Sequence, residues 1–408
     1  MKISLLHYSS PPIVGGVESV LAHHARLLAN DGHEVTILAG RGETFDKRIK
    51  ARILPRLDSR HPDVTEVKDF LDAGKRTPAF DILRERIRQE LLDELKDCDV
   101  LIAHNVASLH KNLALTAVLH EEYGQPDFPH LVLWHHDLAW TTPRYRAELH
   151  DGAPWDLLRT NWEGVTQVAV SELRRRELAE LLGIPGDSIR VVPNGVDINA
   201  FFKFEPKTVE LIERLNLLNA DPLFLLPVRL TPRKNIELAL RVMAELRKDY
   251  PKAMLLVTGP EGPHNPNNKA YKRKLLSLRD ELNLQGAVHF LAEMTDEFMP
   301  DEVIADFYRI ADALLFPSRE EGFGIPIIEA AFSRMPVFCT DIAVLRELGG
   351  KDVTYFAPDA DPLDVARQVR GRMETESTSR WGRRAKHGYA WEQIHSQYIA
   401  PLIEEVTS

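Results

Sequence analysis

Residues 313–329 read ALLFPSREEGFGIPIIE, and this stretch predicts a buried strand, a glycine turn and a helix in succession. Ala313–Phe316 is a short apolar run of the kind that forms a strand covered on both faces. Gly322 and Gly324 allow a tight turn, and Pro326 fits the first turn of a helix, where its missing N–H costs no hydrogen bond. A strand, a turn and a helix in this order are the repeating unit of a parallel α/β sheet.

The same alternation extends along the chain in both directions. Strand-like runs are predicted at Ile3–Tyr8, Val35–Ala39, Val100–Ala103, Leu131–Trp134, Val168–Val170, Ile189–Val192, Leu223–Arg229, Met254–Thr258, Val288–Leu291, Ala313–Phe316 and Val337–Cys339. Apolar residues at three- and four-residue spacing predict helices at Val17–Asn30, Asp81–Lys96 and Ile236–Leu246. The pattern therefore predicts two doubly wound, Rossmann-like parallel-sheet α/β domains in tandem.

The chain has 408 residues, a length that fits two domains. The predicted boundary follows the turn at Pro193–Asp197 and lies near Phe201–Pro206. We therefore expect an N-terminal domain at residues 1–202, a C-terminal domain at 203–385, and a C-terminal helix at 386–408 that crosses back to the first domain. Parallel sheets bind ligands at the carboxyl ends of their strands, so two sheets that face each other predict a central cleft.

Composition excludes several classes of protein. The formal net charge is −10, from 51 basic and 61 acidic residues, which argues against nucleic-acid binding. The two cysteines, Cys98 and Cys339, provide neither a disulfide framework nor a thiolate metal site. No apolar run reaches the roughly 20 residues of a membrane span, and the N-terminus is too polar for a signal peptide. We expect a cytoplasmic protein without integral membrane association, and the sequence leaves its oligomeric state open.

Two loops at predicted strand ends have the chemistry of anion sites. Gly15 and Gly16 precede a helix, where backbone N–H groups and the helix dipole favour a phosphate. Arg229 and Lys234 also precede a helix, and cations there repel each other and the positive helix end unless an anion binds. We expect Lys234 to be solvated when no ligand is bound. Turns without a ligand are the alternative for both loops.

Carboxylates and histidines mark further strand ends. Glu321 and Glu329 flank the Gly322–Gly324 turn, and their oxygens suit the hydroxyls of a sugar or a ribose. A capped helix beside a solvated loop is the alternative for these glutamates. His135-His136-Asp137 and His104-Asn105 each close a predicted strand. Because no further ligand stands at metal-like spacing, we expect no metal.

Together these motifs resemble those of the family 4 glycosyltransferases, retaining enzymes with the GT-B fold. Glu321 and Glu329 match the family's paired glutamates, and Arg229 and Lys234 match its diphosphate-binding pair. The other matching segments are Gly15-Gly16, His136-Asp137 and Pro193-Asn194-Gly195-Val196-Asp197. The resemblance spans the chain from about Met1 to about Pro401. It implies two Rossmann-like domains that face a central cleft, with the acceptor on the N-terminal side and a nucleotide-sugar on the C-terminal side.

The resemblance implies a nucleotide-diphosphate sugar as co-substrate, with no cofactor required and no metal. Arg229 and Lys234 would hold the diphosphate and stabilise the charge of the leaving group. Glu321 would bind the donor sugar, Glu329 the ribose, and His136 the sugar near its reacting carbon. The residues implied to be catalytic are His136, Glu321, Arg229 and Lys234. The residues implied at the donor site are Gly15, Gly16, Arg229, Lys234, Leu291, Glu321, Gly322, Phe323, Gly324, Ile325 and Glu329.

The segment after His136 carries aromatic and arginine side chains that suit a small polar acceptor. Sugar rings pack on aromatic faces, and arginine clamps a carboxylate or phosphate. The residues expected to contact the acceptor are Asn105, Asp137, Trp140, Arg144, Tyr145 and Arg146. A loop packed on its own aromatic side chains is the alternative for this segment.

We therefore expect a retaining hexosyltransferase. Its donor would be of the GDP-mannose or UDP-glucose type, and its acceptor a small, polar, anionic molecule such as a glycosylglycerate or a sugar phosphate. The alternative function is a nucleotide-sugar epimerase or a non-catalytic nucleotide-sugar-binding protein of the same fold.

Overall fold

The computed structural model of the protein describes residues 1–261, 267–295 and 298–407. The chain divides into two compact units. The first unit contains Met1–Val196 and the C-terminal segment from Trp391 onward, and the second contains Asp197–Ala390. Among the helices described, none combines the length and the apolar character needed to span a membrane.

The first unit is built on a parallel sheet of seven strands in the order β3-β2-β1-β4-β5-β6-β7. The strands are β1 (Lys2–His7), β2 (Glu34–Ala39), β3 (Ile49–Ile53), β4 (Val100–His104), β5 (His130–His135), β6 (Thr166–Ala169) and β7 (Ile189–Val191). The helices are α1 (Gly16–Asn30), α2 (Pro62–Asp72), α3 (Pro78–Leu95), α4 (Leu113–Glu122) and α5 (Glu172–Leu182). The strand order reverses between β1 and β4, and such a switch point is where parallel sheets bind ligands.

In the described part of the second unit, six parallel strands follow the order β10-β9-β8-β11-β12-β13. The strands are β8 (Leu223–Leu226), β9 (Met254–Val257), β10 (Val288–Phe290), β11 (Ala313–Phe316), β12 (Val337–Thr340) and β13 (Thr354–Phe356). The helices are α6 (Ile198–Phe202), α7 (Pro206–Leu215), α8 (Ile236–Leu246), α9 (Asn267–Glu281), α10 (Asp301–Ile310), α11 (Ile325–Phe332), α12 (Ala343–Gly349), α13 (Pro362–Thr375) and α14 (Ser377–Tyr389). Here the order reverses between β8 and β11, so the loops after these two strands are neighbours.

The C-terminal segment packs on the first unit. It consists of α15 (Trp391–Ile394), one π-helical turn (His395–Ile399) and α16 (Ala400–Val406). Its apolar side chains share a core with Ile3, Leu21 and Trp134 of the first unit. The segment begins at Trp391 rather than at residue 386, because α14 continues to Tyr389 within the second unit.

The predicted pair of parallel α/β domains is confirmed, with differences at particular elements. The predicted strand Leu223–Arg229 ends at Leu226, because Pro227 has no N–H and the Val228 N–H turns back to the Leu226 carbonyl at 3.0 Å. The second unit begins at Asp197, before the predicted boundary at residue 202. The Asp197 side chain accepts a hydrogen bond from the Ala200 N–H at 2.9 Å, and this cap starts α6 within the second unit.

Candidate functional site

The glycine turn after β11 positions two glutamates in the second unit. Gly324 has φ +102°, a left-handed conformation that favours glycine, and it precedes the first residue of α11. A β-carbon at Gly324 would lie 2.6 Å from Cδ2 of Leu345, so a larger residue would also collide. Glu321 stands before this turn, and Glu329 lies in α11 after it.

Lys234 and Glu321 form a largely buried ion pair. The Lys234 Nζ donates to Glu321 Oε1 at 2.5 Å, and the side chains are 11% and 8% exposed. Burial lowers the pKa of Lys234, the Glu321 carboxylate opposes that change, and the positive charges of Arg233 and Arg229 add to it. The expectation that Lys234 is solvated without a ligand is wrong, because Glu321 pairs with it inside the loop.

Further hydrogen bonds tie the loop after β8 to the loop after β11. The Arg319 N–H donates to the Arg233 carbonyl at 2.8 Å, and its guanidinium donates to Asn235 Oδ1 at 3.1 Å. Arg233 in turn donates to the carbonyl of Glu320 at 3.3 Å. Asn235 also has a left-handed φ of 53°, which lets the chain turn into α8. These contacts hold Lys234 and Glu321 in a preformed arrangement.

Arg229 lies at the surface beside an aromatic ring. Its guanidinium carbon is 4.7 Å from the centre of the Phe298 ring, a cation–π contact. No ion pair of Arg229 is found within the described ranges. The sequence pattern did not identify Phe298, because an isolated aromatic residue between a strand and a helix, here β10 and α10, gives no signal of this contact.

The remaining predicted donor residues have different environments. Leu291 is 1% exposed and belongs to the core of the second unit, whereas Phe323 and Ile325 are 55% and 58% exposed. Gly322 is exposed, and no atom would lie within 4 Å of a β-carbon there. Glu329 lies against Tyr308, whose pKa is raised by burial and then by this carboxylate.

In the first unit, Asn105 holds the backbone that carries His136. Its Oδ1 accepts hydrogen bonds from the N–H groups of His136 at 2.8 Å and Asp137 at 3.2 Å. Asn105 follows β4 with φ 60°, a conformation that asparagine tolerates better than most residues. These contacts fix the end of β5 against the end of β4. The Asn105 side-chain oxygen is thus engaged inside the protein.

Several buried imidazoles surround His136. His136 Nε2 lies 3.1 Å from Nδ1 of His104, and His7 Nδ1 lies 2.9 Å from the His104 carbonyl, to which it donates. Burial, with His7 and His135 adding, lowers the pKa of His136 to about 3. Burial is also the main cause that places the pKa values of His104 and His24 well below 6.5. These rings are therefore neutral at pH 7.

The Gly15-Gly16 turn already has a carboxylate beside it. The Ser9 hydroxyl donates to Glu18 Oε1 at 2.5 Å, and Glu18 is in the first turn of α1. A β-carbon at Gly15 would lie 2.0 Å from Glu18 Oε2. Gly15 itself is extended, with φ −170°, so this close approach is what requires glycine. The phosphate contact expected of Gly15 and Gly16 stays a prediction.

The predicted acceptor segment is partly packed on its own unit. Trp140 donates from Nε1 to the Trp155 carbonyl at 3.3 Å. The guanidinium carbon of Arg159 lies 4.0 Å from the centre of the Trp140 ring. Arg144 donates to the Tyr145 hydroxyl at 2.9 Å. Arg146 is exposed, and Asp137 is half-buried. The aromatic part of the segment thus packs against the first unit, while Arg144 and Arg146 are exposed.

Two cations approach the same aromatic ring in this segment. The Arg144 guanidinium carbon and the Lys111 Nζ each lie 4.7 Å from the centre of the Tyr145 ring. In the described residues, no carboxylate forms an ion pair with either cation. Positive charge is therefore uncompensated around Tyr145, and this surface suits an anion.

In the described part of the chain, one group of side chains lies close enough together to hold a metal ion: Asp72, His110 and Glu148. One ligand atom from each lies within 4.8 Å of the others. However, Lys68 Nζ bonds to Asp72 and lies 3.2 Å from Glu148 Oε2, while His110 Nε2 lies 2.5 Å from that same oxygen. Lys68 already supplies positive charge to both carboxylates, so the cluster is satisfied by protein groups.

Two family models match the chain, one in each unit. Residues 14–200 match "Glycosyltransferase Family 4", and residues 209–388 match "Glycosyl transferases group 1". With two parallel α/β units and the paired glutamates in place, the chain belongs to the family 4 glycosyltransferases, which have the GT-B fold. The family resemblance seen in the motifs is confirmed.

Relatives with known names include a mannosylglucosylglycerate synthase from Petrotoga mobilis. It is 27% identical over 273 residues, covering 63% of this chain and 62% of that protein, so the match spans less than two thirds of its length. An MMP alpha-(1->4)-mannosyltransferase from Mycolicibacterium hassiacum is 27% identical over 446 residues, covering 98% and 97% of the two chains. Among solved structures, a sucrose-phosphate synthase from Thermosynechococcus elongatus has 17% identity, a TM-score of 0.42, and coverage of 99% and 98%.

Proposed function

We propose that the chain is a retaining, metal-independent hexosyltransferase. It moves a hexosyl group from a nucleotide-diphosphate sugar of the GDP-mannose or UDP-glucose type to a small, anionic acceptor such as a glycosylglycerate or a sugar phosphate. The observation that carries the proposal is the Lys234–Glu321 pair, which sets a buried cation and a hydroxyl-binding carboxylate 2.5 Å apart. These are the two groups that a diphosphate and an adjoining sugar require.

The second unit binds the donor in this proposal. Lys234 and Arg229 take the diphosphate, and their charges stabilise the negative charge that grows on it as the sugar leaves. Glu321 exchanges its bond to Lys234 for bonds from sugar hydroxyls, assisted by N–H groups of residues 322–325. Glu329 accepts from the ribose. Because lysine and arginine supply the positive charge, the reaction needs no metal ion.

The first unit supplies His136 and the acceptor contacts. His136 is neutral and retains 9% exposure at the end of β5, so it bonds a sugar oxygen without adding charge. Arg144, with Lys111 beside it, faces the anionic group of the acceptor. The name of the Petrotoga mobilis relative supports a glycosylglycerate as the acceptor, and both relatives' names support a mannosyl donor.

A panel of nucleotide-sugars tests the proposal, each offered with and without glucosylglycerate or a sugar phosphate. We expect nucleoside diphosphate release that depends on acceptor, a product heavier by one hexose, and an α linkage from an α donor by NMR. Activity should persist in EDTA. Conversion of the donor without an acceptor would indicate an epimerase instead, and donor binding without turnover would indicate a binding protein.

A further inference from the structure

A buried contact joins His136 to a second histidine that has no direct access to substrate. His104 Nδ1 lies 3.1 Å from His136 Nε2, and His104 is 0% exposed. Both rings are neutral at pH 7, because burial lowers the pKa of each. Each neutral imidazole carries one N–H, so one ring donates in this contact and the other accepts.

This single hydrogen bond links the tautomers of the two rings. If His104 donates from Nδ1, then His136 accepts at Nε2 and must carry its own proton on Nδ1. If His136 donates from Nε2, then His104 accepts at Nδ1 and must carry its proton on Nε2. Only these two combinations keep the hydrogen bond between neutral rings.

The far side of His104 decides between the two combinations. His104 Nε2 is buried and has no hydrogen-bond partner. The second combination would place an unpaired N–H there, and an unpaired buried donor is disfavoured more than an unpaired buried acceptor. The first combination places a bare nitrogen there and satisfies the buried N–H at Nδ1. His136 then has its proton on Nδ1, the nitrogen that is left for a ligand.

We propose that His104 is a positioning residue that fixes the Nδ1–H tautomer of His136, so that His136 donates a hydrogen bond to an oxygen of the bound sugar. The backbone around the pair is held independently. Asn105 Oδ1 binds the His136 N–H at 2.8 Å, and His7 donates to the His104 carbonyl at 2.9 Å. The backbone of both residues is therefore held without the contact between the rings, whereas the tautomer of His136 depends on His104. The statement about the sugar rests on the proposed function.

The tautomer is measured directly, without any substrate, by NMR of the full chain labelled with ¹⁵N in histidine. Long-range ¹H–¹⁵N correlations report which ring nitrogen carries the proton, and a His136→Gln variant assigns the signals. We expect a protonated Nδ1 and a bare Nε2 on His136 in the wild-type protein. A protonated Nε2 would overturn the proposal.

Two variants of His104 separate positioning from packing. His104→Leu fills the buried space with a side chain that has no donor, so His136 should populate both tautomers. The kcat should fall roughly tenfold, with a smaller change in donor KM. His104→Asn places an amide N–H near the position of Nδ1 and should keep the tautomer and kcat within about threefold of wild type. An unchanged His136 tautomer in His104→Leu would contradict the proposal, even if that variant were less stable.

The two proposals fail in different ways. If His136 carries its proton on Nδ1 and loses that preference in His104→Leu, the positioning role stands even where the sugar panel yields no transfer, and only the proposed function fails. If transfer occurs and His104→Leu changes neither tautomer nor kcat, the proposed function stands and the role of His104 is refuted.

Discussion

The Lys234 ammonium nitrogen lies 2.5 Å from Oε1 of Glu321, and both side chains are largely removed from water. In the proposed reaction these groups have different ligands, because lysine binds the diphosphate and glutamate binds the sugar. Each therefore satisfies the other until a donor arrives. The pair keeps Lys234 charged in a site where burial and two neighbouring arginines lower its pKa.

Loss of Lys234 should reduce turnover strongly. A cation fixed beside the departing diphosphate gains interaction energy in the transition state, so Lys234→Ala should lower kcat roughly 10²–10³-fold. The donor Kd should rise less, because part of the interaction develops only as the bond breaks. Steady-state kinetics and calorimetric titration measure the two effects. Arg214→Ala, at an exposed cation on α7 of the same unit, is the control, and a kcat of Lys234→Ala within threefold of wild type would refute the assignment.

The same pair makes a prediction about stability. Lys234→Met leaves the Glu321 carboxylate, 8% exposed, without its cation, and removing one partner of a buried pair costs about 3 kcal/mol. The double variant Lys234→Met/Glu321→Gln should recover most of that loss in urea unfolding of the ligand-free protein, because no unpaired charge remains. Equal stabilities of the single and double variants would mean that water already screens the pair.

Glu329 should affect donor binding more than chemistry. In the proposed function its carboxylate accepts from ribose hydroxyls, which are bound equally in the ground and transition states. Glu329→Gln should therefore raise the donor KM roughly tenfold with little change in kcat. Tyr308→Phe is the control, since it removes the hydroxyl beside Glu329 and leaves the carboxylate in place. A fall in kcat alone would place Glu329 in the chemical step.

Much of the fold was predictable because local pattern specifies it. The apolar stripe predicted α8 over Ile236–Leu246, as found, and the 313–329 stretch predicted β11, its turn and α11. Two sheet-edge strands were missed. β3 reads Ile-Lys-Ala-Arg-Ile, an alternating pattern with charges facing solvent, and β13 has three residues, so neither forms an apolar run.

Contacts within the site were less predictable, because tertiary structure makes them. Lys234 and Glu321 are 87 residues apart, and His104 and His136 are 32 apart. Their positions after predicted strands indicated that each of these residues would lie at the edge of a sheet where ligands bind. They gave no means of predicting that Lys234 would be buried against Glu321, or that one hydrogen bond would join two buried imidazoles.

Arg144 should control acceptor affinity. It shares the Tyr145 ring with Lys111, and no carboxylate among the described residues neutralises either cation. Losing one charge-assisted contact costs about 1.5–3 kcal/mol, so Arg144→Ala should raise the acceptor KM roughly ten- to hundredfold and leave donor Kd unchanged. Arg176→Ala, on a surface helix of the same unit, is the control. An equal loss of donor affinity would contradict the acceptor assignment.

The buried histidines should make stability depend on pH. Burial lowers the pKa of His136 to about 3 and that of His135 to about 4, whereas both are about 6.5 in the unfolded chain. Below pH 6.5 the unfolded chain therefore binds more protons than the folded one, so the free energy of unfolding falls as the pH falls. Between pH 6.5 and 5, each such histidine should cost about 2 kcal/mol. The stability is fully present above pH 6.5.

His24 offers the sharpest test of this dependence. Its two ring nitrogens are buried and have no hydrogen-bond partner, and burial holds its pKa well below 6.5. His24→Leu breaks no hydrogen bond and removes one imidazole that is neutral in the folded protein.

At pH 7.5 the free energy of unfolding of His24→Leu should lie within about 1.5 kcal/mol of that of wild type. At pH 5 the variant should be more stable relative to wild type than it is at pH 7.5, because one fewer proton is taken up on unfolding. Urea unfolding at a series of pH values measures this. The same substitution at exposed His130 should change the slope much less, and equal slopes for wild type and His24→Leu would show that His24 titrates alike in both states.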